Sequence, residues 1–154
     1  MYQKILVPLD GSELAECVLP HVKAIADGCR IGKVVLLSVV ETLQVPIYDM
    51  FPAEWREDPK LLEKGKSAAE QYLKKVTGQM ELGNTKIETR VLVGNVAENV
   101  ASYATQNQVD LIAIATHGRS GVSRWFWGST ADKILRSACV PVLMVRAPGC
   151  VPGI

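Results

Sequence analysis

The sequence predicts an α/β fold: a single doubly wound, five-stranded parallel sheet in the order 3-2-1-4-5, with helices on both faces. Three observations predict it. Five short runs enriched in β-favouring residues recur along the chain: KILVPL at 4–9, KVVLLSVV at 33–40, IETRVLV at 87–93, DLIAIA at 110–115 and VPVLMV at 140–145. Most are continuously apolar rather than alternating, as suits strands buried on both faces of a parallel sheet. Segments with apolar residues at helical spacing separate the runs, and such alternation implies right-handed βαβ crossovers. The loops after the first and fourth runs are polar and glycine-bearing, unlike the runs themselves.

The elements follow in order. The first run stops at Asp10-Gly11-Ser12. Ser12 is a good N-cap, and Glu13 stands in the first turn where it meets the helix dipole. Leu14, Val18, Val22 and Ile25 continue at helical spacing. Pro20 is expected to kink that helix or shift its register, and Gly28 and Gly32 to close it. After the second run, Gln44–Pro59 carries three prolines with Tyr48, Phe51 and Trp55 and reads as a long loop. Loops of that length in compact domains are usually functional or mobile. A second helix is expected from about Lys60 to Met80, burying Leu61, Leu62, Ala68, Ala69, Tyr72, Leu73 and Val76. The mixed charges of Lys60–Lys75 are then its solvated face. Gly94-Asn95 is a turn, with Asn95 capping a third helix through Val96, Val100 and Tyr103 to about Asn107. Gly118–Gly128 is a glycine-punctuated loop and Ser129–Ala138 a fourth helix. Residues 1–147 form one domain, and residues 148–154 are a flexible tail expected to fray.

Bulk properties narrow the function. A chain of 154 residues is one domain by the usual measure of ~100–200 residues, and it buries roughly 68–70% of its unfolded surface without needing a metal or disulfide. A formal net charge of +1 gives no footprint for nucleic acid or an anionic membrane. No apolar run reaches the ~20 residues of a membrane span, and Asp10 and Gly11 interrupt what a signal peptide would need, so a cytoplasmic location is expected. Cys17, Cys29, Cys139 and Cys150 show no C-x-x-C pairing and no His at zinc-ligand spacing, and read as reduced and structural.

In open α/β sheets a ligand binds outside the carboxyl ends of the strands where strand order reverses. In the order 3-2-1-4-5 that crevice lies between strands one and four, bringing Pro8-Leu9-Asp10-Gly11-Ser12 beside Ala115-Thr116-His117-Gly118. The second loop, ATHGRSGVSRWFWGSTADKIL, holds Gly118, Gly121 and Gly128 ahead of Ser129-Thr130 at a helix start. Glycines let main-chain N–H groups approach an anion, and a helix N-terminus adds unpaired donors and partial positive charge. Arg119 and Arg124 flank the loop and suit phosphate oxygens. The loop is neither a Walker A sequence nor G-x-G-x-x-G, and Gly128-Ser129 also reads as a plain loop end with an N-cap. On residues alone, a phosphate cradle and an ordinary βα connection both stand. Asp10 reads as a ligand acceptor or as a turn residue with an Asx bond. His117 is a surface histidine beside the phosphates or a catalytic group, and His21 an inert helix residue. Trp125, Phe126 and Trp127 form an apolar cluster before the helix.

The residues now in view resemble the universal stress protein family along nearly the whole chain: K-I-L-V-P-L-D-G-S, L-L-S-V-V, V-L-V-G-N, D-L-I-A-I-A-T-H-G-R-S-G, W-G-S-T-A-D-K-I-L and V-P-V-L-M-V. The family's ATP-binding pattern is G-x2-G-x9-G-[ST]. Gly118, the nine residues Arg119–Trp127, Gly128 and Ser129 fit its second half, and its first glycine falls on Ala115. The resemblance places the chain with the ATP-binding branch. It implies that Pro8, Leu9 and Asp10 line the adenosine side and that Val39 packs on adenine. Ala115 and Gly118 would border ribose and α-phosphate, His117 would lie near the phosphates, and Arg119, Gly128, Ser129 and Thr130 would hold them. Mg²⁺ would bridge phosphate oxygens, since no protein cage for it is visible. An apolar edge strand must be paired or covered, and the resemblance implies homodimerisation through the fifth strand. The expected function is an ATP-binding stress-response protein working as a nucleotide-dependent switch or sensor. A weak ATPase or autophosphorylating enzyme and a nucleotide-free interaction or chaperone-like protein are the alternatives.

Overall fold

In the computed structural model the described residues are 2–41, 59–116 and 129–147. They form β1 (Lys4–Pro8), α1 (Glu13–Glu16), α2 (Leu19–Cys29), β2 (Lys33–Val40), α3 (Pro59–Gln79), β3 (Lys86–Val93), α4 (Val96–Gln106), β4 (Leu111–Thr116), α5 (Ser129–Ser137) and β5 (Val142–Arg146). All four strand pairings are parallel, in the order β3-β2-β1-β4-β5. The expected fold class and strand order are therefore the observed ones.

Burial follows position in the sheet. In β1, β2 and β4 most side chains are buried and the rest half-buried, because helices cover both faces of the three central strands. The edge strand β3 exposes Thr89 and Arg90 and half-buries Val91, Leu92 and Val93. Ile5, Val7, Val34 and Leu36 pack with Val18 and Val22 of the α1–α2 region and with Leu73 and Val76 of α3. On the opposite face Leu6, Val35, Leu37, Ile112 and Ile114 pack with Val100 of α4 and Ile134 of α5. At roughly 25 cal/mol per Å² of apolar surface, these two layers supply most of the driving force for folding.

Local signals set the element ends, with several departures from expectation. Ser12 caps α1, its Oγ accepting the Ala15 N–H at 3.1 Å. Pro20 does not kink one long helix. The chain breaks at Cys17-Val18, and Pro20 occupies the first turn of α2, where its missing N–H costs nothing. The close of α2 falls on Arg30 at φ 53°, not on Gly28, which stays inside the helix. Along α3, Leu61 is 65% exposed and Ala68 is exposed. Leu62, Ala69, Leu73 and Val76 share the inward face instead, at spacings of seven, four and three residues. Only one of two adjacent leucines lies on that stripe. The charged side of α3 is solvated as expected, with Lys64, Glu70, Lys74 and Lys75 exposed. Asn95 caps α4 through the Glu98 N–H. Strand β5 begins at Val142 rather than Val140, with the Pro141 carbonyl accepting the Ile112 N–H just before it. The loop Gln44–Pro59, apart from Pro59 itself, lies outside the described residues, as do the tail 148–154, Cys150 and the cluster Trp125–Trp127.

Candidate functional site

The carboxyl ends of β1, β2 and β4 open onto one cleft of about 510 Å³, within the ~300–1,000 Å³ typical of small-molecule sites. It sits where strand order reverses between β1 and β4. Three sequence features build it.

The first is the end of β1. The Leu9 N–H extends the pairing to β2 by donating to the Leu37 carbonyl at 2.8 Å. Gly11 then turns the chain at φ +88°, a region glycine enters without steric penalty. Asp10 Oδ1 accepts the Ser12 N–H at 2.9 Å and the Ser12 Oγ–H at 2.6 Å, so the Asx turn is present. Oδ2 makes no hydrogen bond among the described residues. Asp10 is exposed on the cleft wall.

The second feature is the end of β4 with the start of α5. Ala115 is half-buried and Thr116 buried, and the Thr116 carbonyl accepts the Ala147 N–H at 3.1 Å. Helix α5 opens at Ser129, and Thr130, Ala131 and Ile134 line the cleft. Its first-turn N–H groups bring partial positive charge to this end. The third feature is the β2 terminus with the turn into α4, which supplies Leu37, Val39, Glu41 and Val96.

Six sequence-predicted site residues, Pro8, Leu9, Asp10, Val39, Ala115 and Thr130, therefore meet around one cavity. Ser129 is the first residue of α5. His117, Gly118, Arg119 and Gly128 lie outside the described residues, as does Arg124. His21 is exposed on α2. Sequence reasoning missed Leu14, Glu41, Val96 and Ile134 in the lining. For Glu41 and Val96 a signal existed: both follow the carboxyl end of a predicted strand, the rim where α/β ligands bind.

The cleft's floor is apolar and its described rim acidic. Among the described lining residues Asp10 and Glu41 are carboxylates and none is Lys, Arg or His. Behind α1, burial pushes the Tyr72 phenol well above its usual range, and the neighbouring Glu16 and Asp10 carboxylates add to the shift. Among the described residues no group of three or more His, Cys, Asp or Glu is placed to hold a metal ion, and Cys17, Cys29 and Cys139 are free thiols. No helix of the described residues is long and apolar enough to cross a membrane.

The family model for the universal stress protein family matches residues 1–146. This chain belongs to the universal stress protein family. A universal stress protein of Methanocaldococcus jannaschii is 33% identical over 150 residues, covering 96% of this chain and 84% of that relative. The solved structure of a second M. jannaschii family protein superposes with a TM-score of 0.70 at 30% identity, covering 97% of this chain and 99% of the other. A universal stress protein solved in complex with cAMP shares the fold, with a TM-score of 0.63 at 21% identity over 95% of this chain and 98% of its own.

Proposed function

We propose that this universal stress protein binds an adenine nucleotide, ATP first among them, and acts as a nucleotide-dependent switch. The observation that carries the reading is the cleft at the strand-order reversal, with an apolar floor, a carboxylate oxygen of Asp10 that makes no hydrogen bond among the described residues, and the start of α5 at its edge. The residues fit such a ligand. Val39 offers an apolar face for a base, and Asp10 Oδ2 accepts from a ribose hydroxyl or an exocyclic amine. The α5 N-terminus with Ser129 and Thr130 faces the phosphates. Gly118, Arg119 and Gly128 would complete the cradle, with His117 beside them. The cAMP held by a family relative supports the ligand class. Mg²⁺ would be held through phosphate oxygens and water. Residues 1–147 would act as the nucleotide-binding unit, residues 148–154 as a tail, and two copies would pair through β5 in the cytoplasm.

Mass spectrometry of the small molecules released from freshly purified protein tests the reading, with calorimetric titration of ATP alongside. Released or titratable adenine nucleotide is the expected result. A protein that releases none, and shows no heat of binding at millimolar ATP or AMP, overturns the proposal. Binding should also raise the melting temperature, since ligand at one hundred times its Kd stabilises by about 2.7 kcal/mol.

A further inference from the structure

We infer that Gly65 of α3 is a positioning residue for this cleft: its missing side chain fixes where the end of β2 lies, and so places Val39 and Glu41 in the cleft wall. The inference rests on the nucleotide reading above. Gly65 touches no part of the cleft itself. It sits seven residues into a 21-residue helix, where glycine weakens the helix relative to alanine. Its packing supplies the reason. A Cβ built on Gly65 would stand 3.0 Å from Val40 Cγ1 and 4.0 Å from Cγ2. Gly78, on the same helix, has nothing within 4 Å of an added Cβ. Helix α3 therefore rests its bare backbone on the two methyl groups of Val40.

Val40 cannot absorb a push locally. Its χ1 is stiff because both branches leave from Cβ, and both branches already face Gly65. Its backbone pairs with Val93 in the β2–β3 register, and its carbonyl accepts the Gly94 N–H at 3.0 Å. Gly94 is itself hemmed in. It lies at φ +123°, with Asn99 Nδ2 only 3.1 Å from any added Cβ. That Asn99 amide ties the turn by donating to the Val93 carbonyl at 3.3 Å and the Asn95 carbonyl at 2.8 Å. The neighbours of Val40 on either side, Val39 and Glu41, line the cleft. A side chain at 65 would thus displace the β2 terminus, and the cleft wall is where that displacement is read.

The test uses the full chain and Mg²⁺-ATP, with Kd from calorimetry and melting temperature measured in parallel. Gly65→Ala is expected to weaken ATP binding about tenfold, which is ~1.4 kcal/mol and lies within the usual cost of overpacking. Adding Val40→Ala to Gly65→Ala removes the colliding methyls and should return Kd to within about twofold of wild type, the margin of additive behaviour. Gly78→Ala should raise the melting temperature and leave Kd unchanged. Val40→Ile crowds the same contact from the other side and should also weaken binding, so the idea stays testable if Gly65→Ala fails to fold. A merely structural role would lower the melting temperature while leaving the Kd of the folded protein untouched. Wild-type affinity in folded Gly65→Ala, or a weakened Kd that Val40→Ala does not restore, overturns the positioning role alone. A wild-type chain that binds no nucleotide overturns the nucleotide reading, and this inference with it.

Discussion

Replacing Asp10 by asparagine, and separately by alanine, divides its turn role from its proposed ligand role. Oδ1 accepts the Ser12 N–H at 2.9 Å and the Ser12 hydroxyl at 2.6 Å, and Ser12 Oγ in turn caps α1 through the Ala15 N–H. Asparagine keeps a carbonyl oxygen for both Ser12 bonds but presents an amide donor where Oδ2 stood. Alanine removes everything. Hydrogen bonds to a charged acceptor contribute about 1.5–3 kcal/mol and neutral ones about 0.5–1.5, and the exposure of Asp10 puts its two bonds at the low end. Asp10→Ala should therefore cost about 1–2 kcal/mol of stability, roughly 2–8 °C in melting temperature for a domain of this size. Asp10→Asn should cost well under half of that. For ATP the order changes. Asparagine offers a donor to a ligand donor, so both variants should weaken ATP binding by about ten- to a hundredfold, equivalent to ~1.4–2.7 kcal/mol. Differential scanning fluorimetry without ligand and calorimetric titration with Mg²⁺-ATP measure the two effects independently. An Asp10→Asn protein that binds ATP as wild type does would show that the carboxylate serves the turn alone.

Two further outcomes follow from groups outside the cleft. Asp110 accepts the Gln3 and Lys4 N–H groups with Oδ2 at 2.8 Å each, and those bonds, with Gln3 first, hold its carboxyl below the usual aspartate range. A depressed folded pKa gives stability that is complete above the ordinary value of about 3.9 and lost as pH falls through the folded value. Asp110→Asn should thus be less stable by about 1–2 kcal/mol at pH 7, with the gap from wild type closing below about pH 4; a gap constant from pH 7 to pH 2.5 in urea titrations would contradict the assignment. At the sheet edge, the Pro141 carbonyl and the Ala147 N–H both bond to β4, so by alternation Met144 turns its N–H outward. Met144→Pro removes that edge donor without breaking the β4 ladder, a position where strands tolerate proline. If two copies pair through β5 as proposed, sedimentation velocity should give a dimer for wild type and a folded monomer for Met144→Pro; a wild-type monomer would overturn the pairing, and a persistent Met144→Pro dimer would place the interface elsewhere.

The sheet was legible because its central strands are apolar on both faces. The run at 33–40 needed no adjustment, β1 ended one residue early, and β4 moved one residue later at both ends. Edges were harder. The run at 140–145 reads as one strand, yet Val140 packs beneath α5's face of the sheet rather than joining β5, a tertiary choice that hydropathy does not record. Pro20 was read as a disturbance within a helix, whereas the break two residues earlier makes it a helix-starting residue. The left-handed Arg30 defied the expectation that glycine closes α2, because a single αL residue is affordable for a side chain pointing into solvent. Leu61 and Leu62 are equivalent in composition and differ only in helical phase, which packing against β2 and β3 decides.

The site was legible as far as topology reaches. Strand-order reversal brings Asp10 and Ala115 to one rim, and the alternating faces of β2 turn Val39 toward the α4–α5 side. What the motif could not convey is the charge of that rim. Glu41 joins Asp10 on it, with no cationic side chain among the described lining residues. Two carboxylates repel a polyphosphate, and like charges in a partly desolvated cleft repel more strongly than in water. Under the proposed function a nucleotide would therefore sit with its nucleoside toward β1 and β2, where the carboxylates accept hydroxyls and amines, and its phosphates toward the first turn of α5. On the proposed reading, the acidic wall would disfavour the reversed pose, and the same division between an acceptor end and a donor end would suit nucleotides of differing phosphate length.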